Sequence, residues 1–313
     1  MKTSRSPLSR AAMKVITALA IILTLSGTLQ LGADDWEPAD SINRFAFDSY
    51  RKIGKGEGNR LFSPLSLSAA LTLAYAGAAG QTADEMGRVL HFPGNSSATH
   101  KALAALFKSL QTSGQDITTL EAYTQKKSDG VFILANSLWA EKTLNVKSSF
   151  IKLLMKYYDA EPHAVDFINA SEAARIEING WVENKTMKKI KNPLNNDDVS
   201  AATLMVLINA GYFRGAWLIP FRFDDTAKAP FWITPTKKVQ VDMMKSESYH
   251  TVYKGDGYSA VKLPYDGMKN EMIIIIPEKK DGLGEIEKNM DAKTFASICK
   301  NLEKSSEQWF IEI

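Results

Sequence analysis

The stretch Leu204-Met205-Val206-Leu207-Ile208-Asn209-Ala210-Gly211-Tyr212-Phe213, continued by Arg214-Gly215-Ala216-Trp217, decides the fold. It is the most apolar strand candidate in the middle of the chain, and it carries one amide, Asn209, in its interior. An amide in such a strand must be hydrogen-bonded if it is buried. Towards the N-terminus, Val131 to Ala140 (Val-Phe-Ile-Leu-Ala-Asn-Ser-Leu-Trp-Ala) is too apolar for a half-solvated hairpin and predicts an interior strand covered on both faces. Between the two lie a helix over Ser148 to Tyr158, a short strand Ala164-Val165-Asp166-Phe167 and a helix over Ser171 to Lys185. Ile176, Ile178, Trp181 and Val182 are the packing residues of that last helix.

Further out, Ile42, Phe45, Ala46, Tyr50 and Ile53 recur at helical spacing and place a helix over Pro38 to Ile53, ended by Gly54, Gly56 and Gly58. This Gly-x-Gly-x-Gly follows a helix and carries no Lys-Ser/Thr, so it reads as a turn and not as a phosphate cradle. Ser63 before Pro64 is an N-cap followed by the residue best suited to a first helical position, and Leu65, Ala69, Leu73 and Ala76 run down one side of the helix they open. Thr82-Ala83-Asp84-Glu85 has capping-box spacing and predicts a helix start there, with another helix from about Ala98 to Leu110. Beyond Ala229 the chain turns to β: Phe231-Trp232, Val239 to Met244, Tyr258 to Leu263 and Met272 to Ile276, separated by Gly- and Pro-containing turns, predict antiparallel sheet. A helical stretch from Leu283 to Leu302 and a final segment of strand composition, Gln308 to Ile313, complete a mixed α+β body.

The 313 residues are 45% hydrophobic and 23% charged, which excludes a disordered chain. The formal charge of +3 belongs to the N-terminus, because residues 1–33 hold Lys2, Arg5, Arg10 and Lys14 and no acid. Without them 38 basic residues against 35 acidic become 34 against 35. A neutral body gives no electrostatic case for nucleic acid. The same stretch has a basic start, an apolar run Val15 to Leu25 and small residues before Asp34, the layout of an export signal, with residues 34–313 as the mature body. A membrane anchor is the alternative, but this run of eleven residues falls short of the roughly 20 that span a bilayer. A secreted or periplasmic location follows, with no membrane contact.

Catalytic signatures are missing. No Gly-x-Ser-x-Gly elbow or P-loop occurs, the four His show no ligand spacing, and the one Cys, Cys299, lies in a helix where it reads as a small core residue. Neither an enzyme nor a metal or other cofactor is expected. Lys185, Lys188, Lys189 and Lys191 read as a solvated helix end or, less favoured, as an anion patch. Asn95-Ser96-Ser97, Asn169-Ala170-Ser171 and Asn184-Lys185-Thr186 fit the glycosylation acceptor pattern.

Seven strings in fixed order resemble the serpin family of protease inhibitors. They are Phe62-Ser63-Pro64-Leu65-Ser66-Leu67-Ser68, Asn136-Ser137-Leu138-Trp139, Ile178 to Thr186, Leu207 to Trp217 with Pro220-Phe221, Val241 to Met244, Leu263-Pro264-Tyr265-Asp266-Gly267, and Ile274 to Pro277. The resemblance implies helices on a large central sheet plus further antiparallel sheets. It implies inhibition of a serine or cysteine protease by a suicide-substrate mechanism, in which an exposed loop is cleaved and inserted as a new strand. By position, Ser63, Ser66 and Asn209 correspond to the hydrogen-bonded shutter beneath the opening of the sheet, and Trp217 to the breach where insertion begins. Simple packing would explain the same four residues: Ser63 as a cap, Asn209 as a satisfied amide and Trp217 as core.

In the family, the reactive loop and the closing strands follow the part that Ile313 ends, so no reactive bond can be named, and the expectation is a chain truncated before its inhibitory loop. Several absent strands, each burying two or three side chains worth about 1.5 to 3 kcal/mol, outweigh a domain's stability of about 5 to 15 kcal/mol. Open strand edges then favour self-association. A non-inhibitory binding or storage protein on the same scaffold is the rival expectation.

Overall fold

The computed structural model describes residues 13–14, 19–22, 36–53, 59–111, 131–267, 270–305 and 308–312. Most of residues 1–33, where an export signal is expected, and the expected turn at residues 54–58 lie outside the described residues. Two compact units make up the chain, Thr28–Gly215 in one and Met1–Gly27 with Ala216–Ile313 in the other. Strands β1 (Met13–Lys14) and β2 (Leu19–Ile22) come first in sequence and belong to the second of these.

The Thr28–Gly215 unit holds α1 (Pro38–Ile53), α2 (Pro64–Gly77), α3 (Gly80–Leu90), α4 (Ser97–Leu110), β3 (Val131–Glu141), α5 (Ser148–Tyr158), β4 (Glu161–Val165), α6 (Phe167–Lys185) and β5 (Met205–Arg214). Helix α2 begins as its sequence predicts: the Ser63 hydroxyl accepts from the Ser66 amide at 3.2 Å, and Pro64 needs no partner for a missing N–H. Leu65, Ala69 and Leu73 are buried on one side, and Ser68, Thr72 and Tyr75 are buried beside them. The strands run in the order β4-β3-β5, with β3 parallel to β4 and antiparallel to β5 over the whole of Val131↔Arg214 to Ala140↔Met205. Strand β3 is buried on both faces almost throughout, which explains its unbroken apolar composition.

Three local readings are corrected here. Helix α3 starts at Gly80, after Ala79, and Ala79 gives no side-chain cap. Thr82 is therefore already helical, and Glu85 is bonded instead by Gln81 Nε2 at 2.8 Å. Tertiary placement of the preceding turn has overridden the capping-box spacing. The predicted strand from Ala164 to Phe167 instead runs from Glu161 to Val165, and Asp166 caps α6 by accepting from the Asn169 amide at 2.8 Å. A break at Ala170 (φ −142°, ψ 43°) separates this first turn from the regular helix that Ser171 opens. Ile176 is solvent-exposed, whereas Ile178 and Val182 are buried as expected.

The second unit contains β6 (Ala227–Trp232) paired with β7 (Lys238–Met243), then β8 (Lys245–Lys254), β9 (Tyr258–Pro264), β10 (Glu271–Pro277), α7 (Leu283–Asn289), α8 (Ala292–Lys304) and β11 (Gln308–Glu312). Its larger sheet has the order β1-β11-β8-β9-β10-β2, antiparallel except for β1 beside β11. The Ile273-Ile274-Ile275-Ile276 run is buried on both faces of β10, and Val252, Val261 and Leu263 join it in the core. The helical stretch after Leu283 is two helices, because the Asp291 carboxylate accepts from the Thr294 amide and starts α8 afresh. No helix among the described residues is long and apolar enough to cross a membrane.

Candidate functional site

Strand β5 is the outer strand of its sheet among the described residues, and α2 packs on it. Gly211 sits where the two meet: a Cβ there would lie 2.5 Å from Ser66 Oγ, so only glycine lets α2 approach this closely. Ser66 is tied through its amide to the Ser63 hydroxyl. The helix cap, the helix's first turn and the strand are thus one mechanical unit.

Two residues before Gly211, and on the same face by strand alternation, is Asn209. It stands opposite Asn136 of β3 and donates from Nδ2 to Asn136 Oδ1 at 2.8 Å. Asn136 in turn donates from its own Nδ2 to the Tyr158 carbonyl at 2.8 Å, which anchors the end of α5. Asn209 Oδ1 is buried without a partner, as is Ser68 Oγ in α2. The expectation of a fully satisfied amide therefore holds only on the donor side of Asn209. Such half-satisfied groups disfavour the closed arrangement by about 1 to 3 kcal/mol each.

Beneath the pair lies a polar network that the sequence reading missed. His100 of α4 is buried, with Nε2 2.7 Å from Asn95 Oδ1 and Nδ1 bonded to the Tyr158 hydroxyl. Asn95 uses its amide to donate to the Tyr75 and Ala78 carbonyls at 2.7 and 2.9 Å, so its Oδ1 accepts and His100 Nε2 carries the proton. His100 Nδ1 then accepts from Tyr158. Burial holds the His100 imidazole below its ordinary pKa, and burial, with the neighbouring Tyr157 and Tyr75, pushes the Tyr158 phenol far up. Asn95 of the first glycosylation pattern thus has its amide engaged by two backbone carbonyls, although it is exposed like Asn169 and Asn184 of the other two. Only a run of separated polar residues, Asn95, His100 and Tyr158, could have pointed to this network, and they lie 58 positions apart at the extremes of its His–Tyr bond.

A second anchor holds α6. Glu161 of β4 accepts from Trp181 Nε1 at 2.8 Å and from Lys185 Nζ at 2.5 Å. Burial pushes the Glu161 carboxyl up, and the Lys185 and Trp181 hydrogen bonds outweigh it, leaving the group below the usual carboxylate range. Lys185 is thereby removed from the predicted basic run, whose exposed members are Lys188 and Lys189 with Lys191. Trp139 of β3 stacks on His163 of β4 at 3.8 Å and meets the edge of Trp181 of α6, within a core cluster that also holds Val165, Phe167, Ala174 and Ile178.

Trp217, the fourth residue singled out from sequence, belongs to the other unit. Its ring stacks on Tyr265 at 4.5 Å and meets Phe221 edge-on at 6.0 Å, and the backbones of Trp217 and Tyr265 form an antiparallel bridge. Phe221 lies flat over His250, whose Nε2 is 2.7 Å from Ser246 Oγ. This Ser–His contact is buried, and its Nδ1 has no partner, so it lacks both the orienting acid and the access that a nucleophile requires. Burial, with the charges of Glu271 and Glu303, pushes the Cys299 thiol up to about 12, which keeps it protonated and unreactive. No cluster of three or more potential metal ligands occurs among the described residues.

The serpin (serine protease inhibitor) family model matches residues 40–312. An uncharacterized serpin-like protein of Thermococcus kodakarensis is 34% identical over 264 residues, covering 84% of this chain and 58% of its own length. The leukocyte elastase inhibitor of Xenopus laevis is 34% identical over 272 residues, covering 84% of this chain and 69% of its own. Among solved structures, emu ovalbumin (Dromaius novaehollandiae) superposes with a TM-score of 0.80 at 26% identity, over 89% of this chain and 72% of that one. The chain thus spans between 58% and 69% of the length of these two curated relatives.

Proposed function

The chain belongs to the serpin family, and from that premise we propose that it forms the strand-accepting body of a secreted inhibitor of serine or cysteine proteases. The observation that carries this reading is the construction of β5. It is an outer strand among the described residues, braced from below by Ser66 against Gly211, and its amide pair with β3 is only half satisfied. A sheet that must part and admit a new strand needs a border of this kind, held firmly enough to be stable and not fully satisfied in the closed state. In this reading Ser63, Ser66 and Asn209 form the cluster at which the strands separate. Trp217 with Tyr265 forms the aromatic platform where insertion starts. Residues 1–33 direct export, and residues 34–313 are the body that acts. The outer edge of β5 favours self-association.

The test is a fusion that continues this chain with the C-terminal part of the frog leukocyte elastase inhibitor. Incubated with elastase, it should give a complex that survives denaturing electrophoresis. A fusion that unfolds cooperatively yet is merely cleaved would overturn the inhibitory reading and favour a non-inhibitory scaffold.

A further inference from the structure

Both outer positions of the second unit's larger sheet are taken by the N-terminal segment. Strand β2 pairs antiparallel with β10 over Met272↔Ile22, Ile273↔Ile21, Ile274↔Ala20 and Ile275↔Leu19, and β1 pairs parallel with β11 over Met13↔Ile311 and Lys14↔Glu312. Every residue of β2 is apolar and stands opposite an apolar residue of β10. Strand β10 is the element that most needs such a neighbour. Its isoleucines, Ile273 to Ile276, are at most 4% exposed, and an uncovered edge of that composition pairs readily with other chains.

The link between the two N-terminal strands constrains the sheet. β1 and β2 stand at opposite ends of the six-strand order, which in a flat sheet would set them about 24 Å apart. From Lys14 to Leu19 the chain reaches at most about 18 Å. The sheet therefore curls until its ends approach, and residues 13–22 join them. Closing a sheet on itself removes its free edges. We propose that Met13–Ile22 is a built-in strand donor and the edge of β10 its acceptor, so that the uncleaved leader fills a strand-addition site of the folded sheet. Export that removes residues 1–33 then bares this site, a consequence that rests on the export reading given above, whereas the pairing itself does not. Leu19–Ile22 also lies inside the apolar run Val15 to Leu25, so folding and the export machinery compete for the same residues.

The test uses the full chain made without secretion, so that residues 1–33 are kept, with Cys299→Ser as background. Directly opposed residues of an antiparallel pair have Cα atoms about 4.5 to 5.5 Å apart, within the range that a disulfide bridges. Met272→Cys with Ile22→Cys should therefore close an intramolecular disulfide, as oxidised glutathione takes up the two electrons and two protons of the thiols. Met272→Cys with Leu19→Cys, about 10 Å out of register, should not. In the otherwise unaltered chain, Ile21→Pro should speed amide exchange over Met272–Ile276 by about tenfold or more and leave β3 of the other unit within about twofold. Ser9→Pro, outside both strands, should change neither. Equal crosslinking of the two cysteine pairs, crosslinks only between chains, or unchanged exchange of β10 in Ile21→Pro would each overturn the proposal. No protease enters these measurements, so their failure leaves the inhibitory reading standing.

Discussion

Asn209 and Asn136 face each other across the β3–β5 pair, joined by one hydrogen bond of 2.8 Å that Asn136 accepts, with the Asn136 amide donating to the Tyr158 carbonyl and the acceptor of Asn209 left empty. The pair is therefore asymmetric. Asn136→Ala orphans two groups at once, the Asn209 amide and the Tyr158 carbonyl, and should lower unfolding stability by about 2 kcal/mol or more. Asn209→Ala also removes an acceptor that is already unpaired, so it should be the milder of the two. Urea denaturation of both variants measures the order, and a larger loss for Asn209→Ala would refute it.

Gly211→Ala places a methyl group 2.5 Å from Ser66 Oγ and should destabilise by about 1 to 3 kcal/mol. Because the clash is with the hydroxyl and Ser66 Cβ is 3.9 Å away, Ser66→Ala in the same chain should recover most of the loss. A double-mutant cycle reads this coupling directly, and additive effects would mean that the strand shifts instead of the helix resisting.

Burial lowers the pKa of both His100 and His250. A group depressed in the folded state contributes stability that is present above its unfolded value, about 6.5, and is lost as pH falls through the folded value. The melting temperature should therefore decline below pH about 6.5. In both cases burial, which removes the charged ring from water, is what opposes protonation; His100 faces the Tyr158 hydroxyl and Asn95 Oδ1, and His250 faces Ser246 Oγ and the Phe221 ring. Substituting Gln for His250 should flatten the decline, and an unchanged slope would remove His250 from the account.

Cys299, partly exposed and with its thiol pushed up to about 12, should react with a disulfide reagent at neutral pH far more slowly than a free thiol. Rapid stoichiometric labelling of the native protein would contradict the protected thiol. The rate should rise in parallel with added urea.

Much of the architecture is legible before any coordinates. Helices α1 and α5 begin and end where periodicity and punctuation place them, β3 declares two-faced burial by its unbroken apolar run, and β9, β10 and β11 lie within a residue or two of their compositional limits. Strand β8 is hidden, because Lys245-Ser246-Glu247-Ser248-Tyr249-His250 reads as polar turn material until pairing with β9 and β11 makes it sheet. The misplaced start of α3 and the exposed Ile176 have a similar origin: spacing states what a segment can do, and packing selects among those options.

The sequence by itself determined the class of fold, the family, the cap that Ser63 places on α2 and the special standing of Asn209, because each rests on neighbours within a few residues or on strings in fixed order. Tertiary structure alone decided that Asn209 finds Asn136 across 73 positions, that Gly211 is a glycine on account of Ser66, and that Glu161 withdraws Lys185 from the basic run. Those relationships join residues far apart in the chain. They depend on strand register and on the approach distance of a helix to a sheet, which are properties of the closed fold and of no single segment.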